Sequence, residues 1–134
     1  MRRMDELVGE WSSEASGLYH SAFEDESFAF GAGGDGWYQF SRPDYADIAY
    51  FRWRRTGHGR VELSWHTARE IFGGVVTDQP PERDPARLGY RIAVENTPLA
   101  GRVRMLRMEP AVGFAREFGL VSTQPAGTAK ADKR

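Results

Sequence analysis

The chain has 134 residues, a formal net charge of −1, 40% hydrophobic residues and 13% aromatic residues, which suits one ordered domain with a single core. The near-neutral charge excludes a global field that would recruit nucleic acid or an anionic membrane. The absence of cysteine excludes thiol catalysis, disulfide bonds and thiolate metal sites, and it is typical of a cytoplasmic protein.

Neither a signal sequence nor a membrane span is expected. The start MRRMDELVGEW has two arginines but no apolar stretch after them, so it does not resemble a secretory signal. No apolar run approaches the about 18 residues that a spanning helix needs.

Segments with the period of a β-strand recur along the chain, and turn residues separate them. In chain order they are 7–13, 27–31, 37–42, 46–55, 60–69, 87–96 and 102–109, with short apolar pieces at 18–23 and 71–76. The segment 77–85 is rich in Pro, Asp and Glu and is predicted to be a surface loop.

The clearest hairpin joins 46–55 to 60–69 through the turn Thr56-Gly57-His58-Gly59. In its first strand, Ala49, Phe51 and Trp53 alternate with polar or mixed positions. In its second strand, one face is predicted to carry Val61, Leu63, Trp65 and Thr67, and the other Glu62, Ser64 and His66. This alternation indicates strands with one buried face.

The end of the chain is less regular. The segment 111–120 fits a helix, with Pro110 at its start and Gly119 after its end, or a closing strand in which Phe114, Arg116 and Phe118 alternate. We count it as a strand. Residues 122–134 are small or charged, and they are predicted to form a disordered tail after a single domain over 1–121.

About eight strands joined mainly by short turns favour antiparallel neighbours. We therefore predict an all-β fold, a small antiparallel up-and-down β-barrel of about eight strands. Closure into a barrel would remove the exposed edges that such apolar strands would otherwise present.

The opening Leu7-Val8-Gly9-Glu10-Trp11 resembles the Gly-x-Trp start of the calycin superfamily, which includes lipocalins and fatty-acid-binding proteins. The resemblance implies that Gly9 permits close backbone approach and that Trp11 plugs one end of the barrel. It also implies a late-strand arginine packed over the tryptophan. The candidates for this arginine are Arg102, Arg104, Arg107 and Arg116, with Arg104 or Arg107 preferred.

The resemblance has limits that prevent the transfer of a ligand. No Thr-Asp-Tyr element of typical lipocalins is found, and no helical lid follows the first strand. Ser12-Ser13 stands where avidins have an Asn-Gln pair, and Glu14 follows where the haem-binding branch would need a glycine-rich continuation.

No catalytic or metal signature emerges. His20, His58 and His66 do not converge on one face, although a metal site needs three or four convergent ligands. The carboxylates at 24–26, Asp44, Asp47, Glu82 and Asp84 are predicted to lie in solvated loops. Neither a nucleophile elbow nor a phosphate loop is present, so no cofactor is predicted.

A cavity is indicated by more aromatic residues than a tight eight-stranded interior needs. The predicted ligand-binding residues are Tyr38, Phe51, Trp53, Trp65, Tyr90 and Arg104. Arg52, Arg54 and Arg55 face either inward, toward a ligand carboxylate, or outward, balanced by Glu62 and Asp47.

The leading hypothesis is a non-enzymatic, lipocalin-like protein that binds a small apolar or aromatic ligand. The second is a small barrel enzyme of isomerase, cyclase or hydratase type, drawing on Tyr38, Tyr90, His66 and an arginine. The third is a protein-interaction module. We expect a monomer or homodimer that contacts neither nucleic acid nor membrane.

Overall fold

The computed structural model describes residues 5–19, 24–80 and 83–132. These residues form nine strands and two short 3₁₀ turns, Glu14–Ser16 and Lys130–Asp132. The strands are β1 Gly9–Ser12, β2 Asp25–Phe30, β3 Asp35–Arg42, β4 Tyr45–Gly57, β5 Arg60–Phe72, β6 Val75–Gln79, β7 Ala86–Thr97, β8 Gly101–Glu109 and β9 Glu117–Ser122.

The strands pair antiparallel and close into a ring. Eight of them follow one another around it in the order β1-β2-β3-β4-β5-β7-β8-β9, and β9 pairs back onto β1. The remaining strand, β6, folds back on the end of β5. The predicted all-β, antiparallel, barrel-like architecture is therefore confirmed.

The interior of the ring is packed with apolar side chains. Every second residue of a strand points into the barrel, so each strand contributes apolar side chains to the core. These buried side chains include Trp11, Phe28, Phe51, Leu106 and Phe118. Phe28 makes ring contacts with Phe51 and Phe118 at centroid distances of 6.4 and 5.2 Å. Such interdigitation fills most of the barrel and leaves a ligand little room at its centre.

The predicted hairpin of β4 and β5 forms, but the face predicted for Thr67 is wrong. Phe51 pairs with Trp65 and Tyr50 with Thr67, so His66 is an additional residue in β5. Such a bulge shifts the alternation by one position. Thr67 therefore lies on the outer face with Tyr50, and Ala68 takes the inner position.

The C-terminal segment packs on the outside of the barrel, which differs from the predicted disordered tail. Strand β9 includes Ser122, and beyond it Ala129 is fully buried against Trp37 and Ile48. Trp37 Nε1 donates to the carbonyl of Ala126 at 2.8 Å. These outward positions of β3 and β4 are apolar, so the outer face needs a cover that the tail supplies.

Two buried contacts fix the end of this segment. Asp132 accepts a hydrogen bond from the Tyr50 hydroxyl at 2.6 Å and from Arg69 Nη1 at 2.6 Å. Burial and this carboxylate raise the pKa of Tyr50 to about 12. The tail is thus held by charge-assisted hydrogen bonds as well as by apolar contact.

Other segments differ in detail from the predictions. Residues 110–116 form a loop, and the closing strand begins only at Glu117. The predicted surface loop 77–85 starts with the last residues of β6. The apolar piece 18–23 lies mostly outside the described residues.

The Gly9-x-Trp11 start behaves partly as the resemblance implies. A Cβ on Gly9 would lie 2.9 Å from the carbonyl oxygen of Ser122, so the close approach of β1 and β9 requires glycine. Trp11 is fully buried, and its Nε1 donates to the carbonyl of Leu7 at 3.0 Å.

Arg107 does not pack over Trp11 as the resemblance implies. This residue pairs with Glu117 on the outer face of the sheet and is bound by Glu95 at 2.8 Å. Arg104 lies one residue before the Met105–Gly119 pair, but its side chain is exposed. Among the described residues, the arginines found over rings are Arg42 on Tyr45 and Arg83 on Trp65.

Candidate functional site

The wall of the barrel is interrupted along β5. Strand β7 pairs with Arg60–Leu63 of β5, whereas β6 pairs with Ala68–Phe72. A recess of about 320 Å³ lies beside this break. Its lining consists of Asp47, Ala49, Trp65, Ala68, Gln79, Pro80 and Arg83.

Two alanines create the volume of the recess. Ala49 of β4 and Ala68 of β5 are direct cross-strand partners, and both lie on the inner face. Larger inward residues follow in both directions, with Phe51 and Trp65 on one side and Asp47 and Glu70 on the other. A pair of methyl groups therefore leaves space between an aromatic pair and an acidic pair.

Trp65 forms the aromatic wall of the recess. Its ring packs edge-on against Phe51 at a centroid distance of 5.4 Å. The guanidinium of Arg83 lies over the Trp65 ring, 5.3 Å from its centroid. This is the geometry of a cation–π contact.

Of the residues that the structure describes, the polar side of the recess has two acidic residues and one basic residue. Arg83 Nη2 lies 3.8 Å from Asp47 Oδ2, and Glu70 is the direct cross-strand partner of Asp47. Burial raises the pKa of the Asp47 carboxyl, Arg83 opposes the rise, and Glu70 adds to it. Asp47 therefore gains from a neighbouring cation.

The prediction that Asp47 lies in a solvated loop is wrong. It is the third residue of β4, its side chain is about one-third exposed, and it shares the inner face with Ala49 and Phe51. The alternation of Ala49, Phe51 and Trp53, extended back by one step, identifies this position. Arg83 gave no comparable signal because it comes from the segment before β7.

An aromatic row continues from the recess to the rim of the barrel. The ring centroids of Phe40 and Tyr45 are 6.4 Å apart, as are those of Tyr45 and Phe72, while Phe114 lies 5.8 Å from Phe40. The guanidinium of Arg42 covers Tyr45 at 4.8 Å. Phe72 and Phe114 are exposed, so this end of the barrel has an apolar rim.

The loop 110–116 covers the same end and is anchored by a buried carboxylate. Glu26 accepts hydrogen bonds from the Tyr38 hydroxyl at 2.7 Å and from the backbone amides of Phe114 and Ala115 at 3.1 and 2.6 Å. Burial and the hydrogen bond to Glu26 raise the pKa of Tyr38 well above its usual range. Tyr38, a predicted ligand-binding residue, thus anchors this loop.

The structure brings only two of the predicted ligand-binding residues to the recess. Trp65 lines it, and Phe51 lies behind Trp65 in the core. Trp53 is half-buried and donates from Nε1 to the carbonyl of Gly31 at 3.0 Å. Tyr90 is buried, and its hydroxyl has no hydrogen-bond partner in the described part of the chain. Arg104 is exposed on β8.

Two of the three β4 arginines, Arg52 and Arg54, point away from the barrel interior. Arg52 and Arg54 are exposed on the outer face, where they bind Asp35 at 2.8 Å and Glu62 at 3.2 Å. They are therefore not available to hold a ligand inside the barrel.

The histidines offer little to a catalytic site. His66 is exposed, with Nδ1 2.9 Å from the Thr67 hydroxyl, and His58 is exposed in the β4–β5 turn. The predicted His20 lies outside the described residues. The enzyme hypothesis thereby loses its best acid–base candidate, because His66 points away from the recess.

No protein-family model, curated protein or solved structure matches this chain. Within residues 5–19, 24–80 and 83–132, no helix has the length and apolar character needed to cross a membrane.

Proposed function

We propose that this barrel binds a small apolar or aromatic molecule in the recess beside Trp65. The observation that carries the proposal is the recess itself, a volume of about 320 Å³ beside a break in the barrel wall. This volume is at the lower end of the range of small-molecule sites.

The lining has the composition that such sites use. The Trp65 ring and the Ala49 and Ala68 methyl groups supply apolar surface, and Asp47 and Gln79 supply polar groups that could fix orientation. A few polar anchors in an apolar pocket are typical of specific ligand sites. The ligand would enter from the side, through the break between β6 and β7.

The resemblance to calycins supports the same function, because members of that superfamily hold ligands within a barrel. In this chain the centre is filled by the side chains around Trp11 and Phe28. The proposed site is therefore smaller and closer to the wall than a central cavity would be, and it suits a ligand of about one or two fused rings.

A cavity-filling variant tests the proposal. We would titrate the ¹⁵N-labelled protein with 2-naphthylmethanol, a neutral aromatic probe, and follow amide and indole signals by NMR. We expect shifts confined to the recess, including the Trp65 indole. The Ala68→Leu variant should abolish them, because its added side-chain atoms occupy the recess.

Ala93→Leu is the matched control, since Ala93 is exposed on β7 and should leave the titration unchanged. Retained binding in Ala68→Leu, or shifts scattered over the outer faces, would contradict the proposal.

A second candidate, a protein-interaction module, is favoured by the exposed rim residues Phe72 and Phe114, whose side chains are 63% and 80% exposed. Exposed aromatic residues at one end of a domain are typical of association surfaces. Sedimentation velocity of the native chain and of a Phe72→Ser, Phe114→Ser double variant separates monomer from homodimer. If the native chain and the double variant are both monomers at every concentration, self-association through this rim is excluded.

A further inference from the structure

The recess already contains a cation that belongs to the chain. The guanidinium of Arg83 lies over the Trp65 ring, with its centre 5.3 Å from the ring centroid, and 3.8 Å from an Asp47 carboxylate oxygen. An aromatic face beside a carboxylate is the arrangement that proteins use to recognise organic cations. The position of the Arg83 side chain therefore indicates that the recess accommodates a positively charged group.

The acidic side of the recess favours a cation for a second reason. Asp47 and Glu70 face each other directly across β4 and β5, on the inner face. Like charges in this position destabilise a sheet. Burial and the nearby Glu70 raise the pKa of Asp47, so the charged form of Asp47 gains from each positive group that approaches it.

Arg83 is held weakly in this position. Arg83 Nη2 and Asp47 Oδ2 are 3.8 Å apart, which is close enough for an ion pair but too long for a hydrogen bond. The Arg83 side chain is 44% exposed, and exposed ion pairs and cation–π contacts are weak because water and salt screen them. A rotation of the side chain would therefore vacate the site at small cost.

We propose that the recess recognises an organic cation, an amine or guanidinium carried on an aromatic or apolar body. The cationic group takes the position of the Arg83 guanidinium beside Asp47, and the body occupies the space left by Ala49 and Ala68. Arg83 then acts as an internal competitor for the ligand. This inference rests on the proposed function and adds the charge of the ligand to it.

The opposite assignment is an acidic ligand that binds Arg83. A carboxylate in this position would lie close to Asp47 and Glu70, and their repulsion opposes its binding. The two assignments predict opposite effects of removing Arg83, which makes them easy to separate.

Three probes that share one aromatic body provide the test. They are 2-naphthylmethylamine, 2-naphthylmethanol and 2-naphthoate, titrated at pH 7 by the same NMR method. We expect the amine to bind about tenfold more tightly than the alcohol, as one charge-assisted hydrogen bond provides. We expect the naphthoate to bind more weakly than the alcohol.

Variants at the two charged residues sharpen the test. Asp47→Asn should weaken the amine about tenfold and change the alcohol less than about twofold. Arg83→Ala should tighten the amine about threefold, because a competitor of about 0.6 kcal/mol is removed.

Asp35→Asn and Arg42→Ala are the matched controls. Asp35 pairs with Arg52 on the outer face, and Arg42 covers Tyr45 at the rim. Neither should change the affinity for the amine. A single cooperative urea transition for each of the four variants would show that they remain folded.

The outcomes separate the two proposals. If the alcohol binds in the recess but the amine gains nothing, or if Arg83→Ala weakens the amine, the cation assignment is wrong and the ligand-binding function stands. If the naphthoate binds most tightly and Arg83→Ala abolishes it, the recess is an anion site. If none of the probes binds, both proposals fail.

Discussion

Removal of the Glu26 carboxylate should cost more stability than removal of the Tyr38 hydroxyl that donates to it. The carboxylate is buried and accepts hydrogen bonds from one hydroxyl, on Tyr38, and from two backbone amides, of Phe114 and Ala115. It therefore joins β2 and β3 to the loop 110–116. The Glu26→Ala variant leaves all three donors without their partner.

The magnitude follows from the burial of the three donors. Hydrogen bonds to charged groups contribute about 1.5–3 kcal/mol each. Tyr38 is only 3% exposed, so its hydroxyl would remain buried and unpaired. The amides of Phe114 and Ala115 lie in a loop that can move toward water and recover part of the loss. We expect Glu26→Ala to lower the free energy of unfolding by about 3–5 kcal/mol.

Urea unfolding followed by circular dichroism measures this difference, provided that the slope of the free energy with denaturant is unchanged. Tyr38→Phe is the control, because it removes one donor and leaves Glu26 with its two amide partners. We expect it to cost about 1–2 kcal/mol. If Glu26→Ala costs no more than Tyr38→Phe, the carboxylate does not anchor the loop and the reasoning is refuted.

Three further predictions concern the rest of the barrel. Gly36→Ala should cost about 1–3 kcal/mol in urea unfolding, because its Cβ would fall onto the ring of Phe51. Truncation after Ser122 should shift the tryptophan emission to longer wavelengths, since the tail that buries Trp37 is removed. Asp47→Asn should gain stability relative to the native chain as the pH rises from about 4 to 7, because the raised pKa of Asp47 stabilises the native fold only while that carboxyl is protonated.

For each of these predictions, one specific result would contradict the reasoning. Full stability of Gly36→Ala would show that β3 can move away from the Phe51 ring. An emission shift that persists when Trp37→Phe is combined with the truncation would show that another tryptophan reports the change. A stability difference between Asp47→Asn and the native chain that does not vary between pH 7 and about pH 4 would show that Asp47 has the same pKa in both states.

The fold could be predicted because its strands carry a strong and simple pattern. Ala49, Phe51 and Trp53 alternate as the inner face of β4 requires, and the turn around Gly59 gives β5 its start. Alternation, however, assigns only relative faces. It did not show that Trp37 and Ile48 form a second apolar surface on the outside, and without that surface the tail had no predicted partner.

The site could be predicted only in part, for reasons that are local. Trp65 was identified by its aromatic character and its phase. The sequence groups Asp47 with the carboxylates of the predicted loops, although it has the phase of the inner face of β4. Arg83 reaches the recess from a segment whose sequence predicts exposure, and only a three-dimensional structure places its guanidinium over Trp65.

The recess results from two departures from a regular barrel that meet at one place. The extra residue His66 in β5 brings Ala68 rather than Thr67 to the inner face opposite Ala49. The separation of β6 from β7 opens the wall beside that pair. None of these features contributes a large side chain to the packed interior, so changes in the recess should alter ligand recognition with little loss of stability. Ligand binding at the proposed site and folding should therefore be separable, and Ala68→Leu tests the first with little effect on the second.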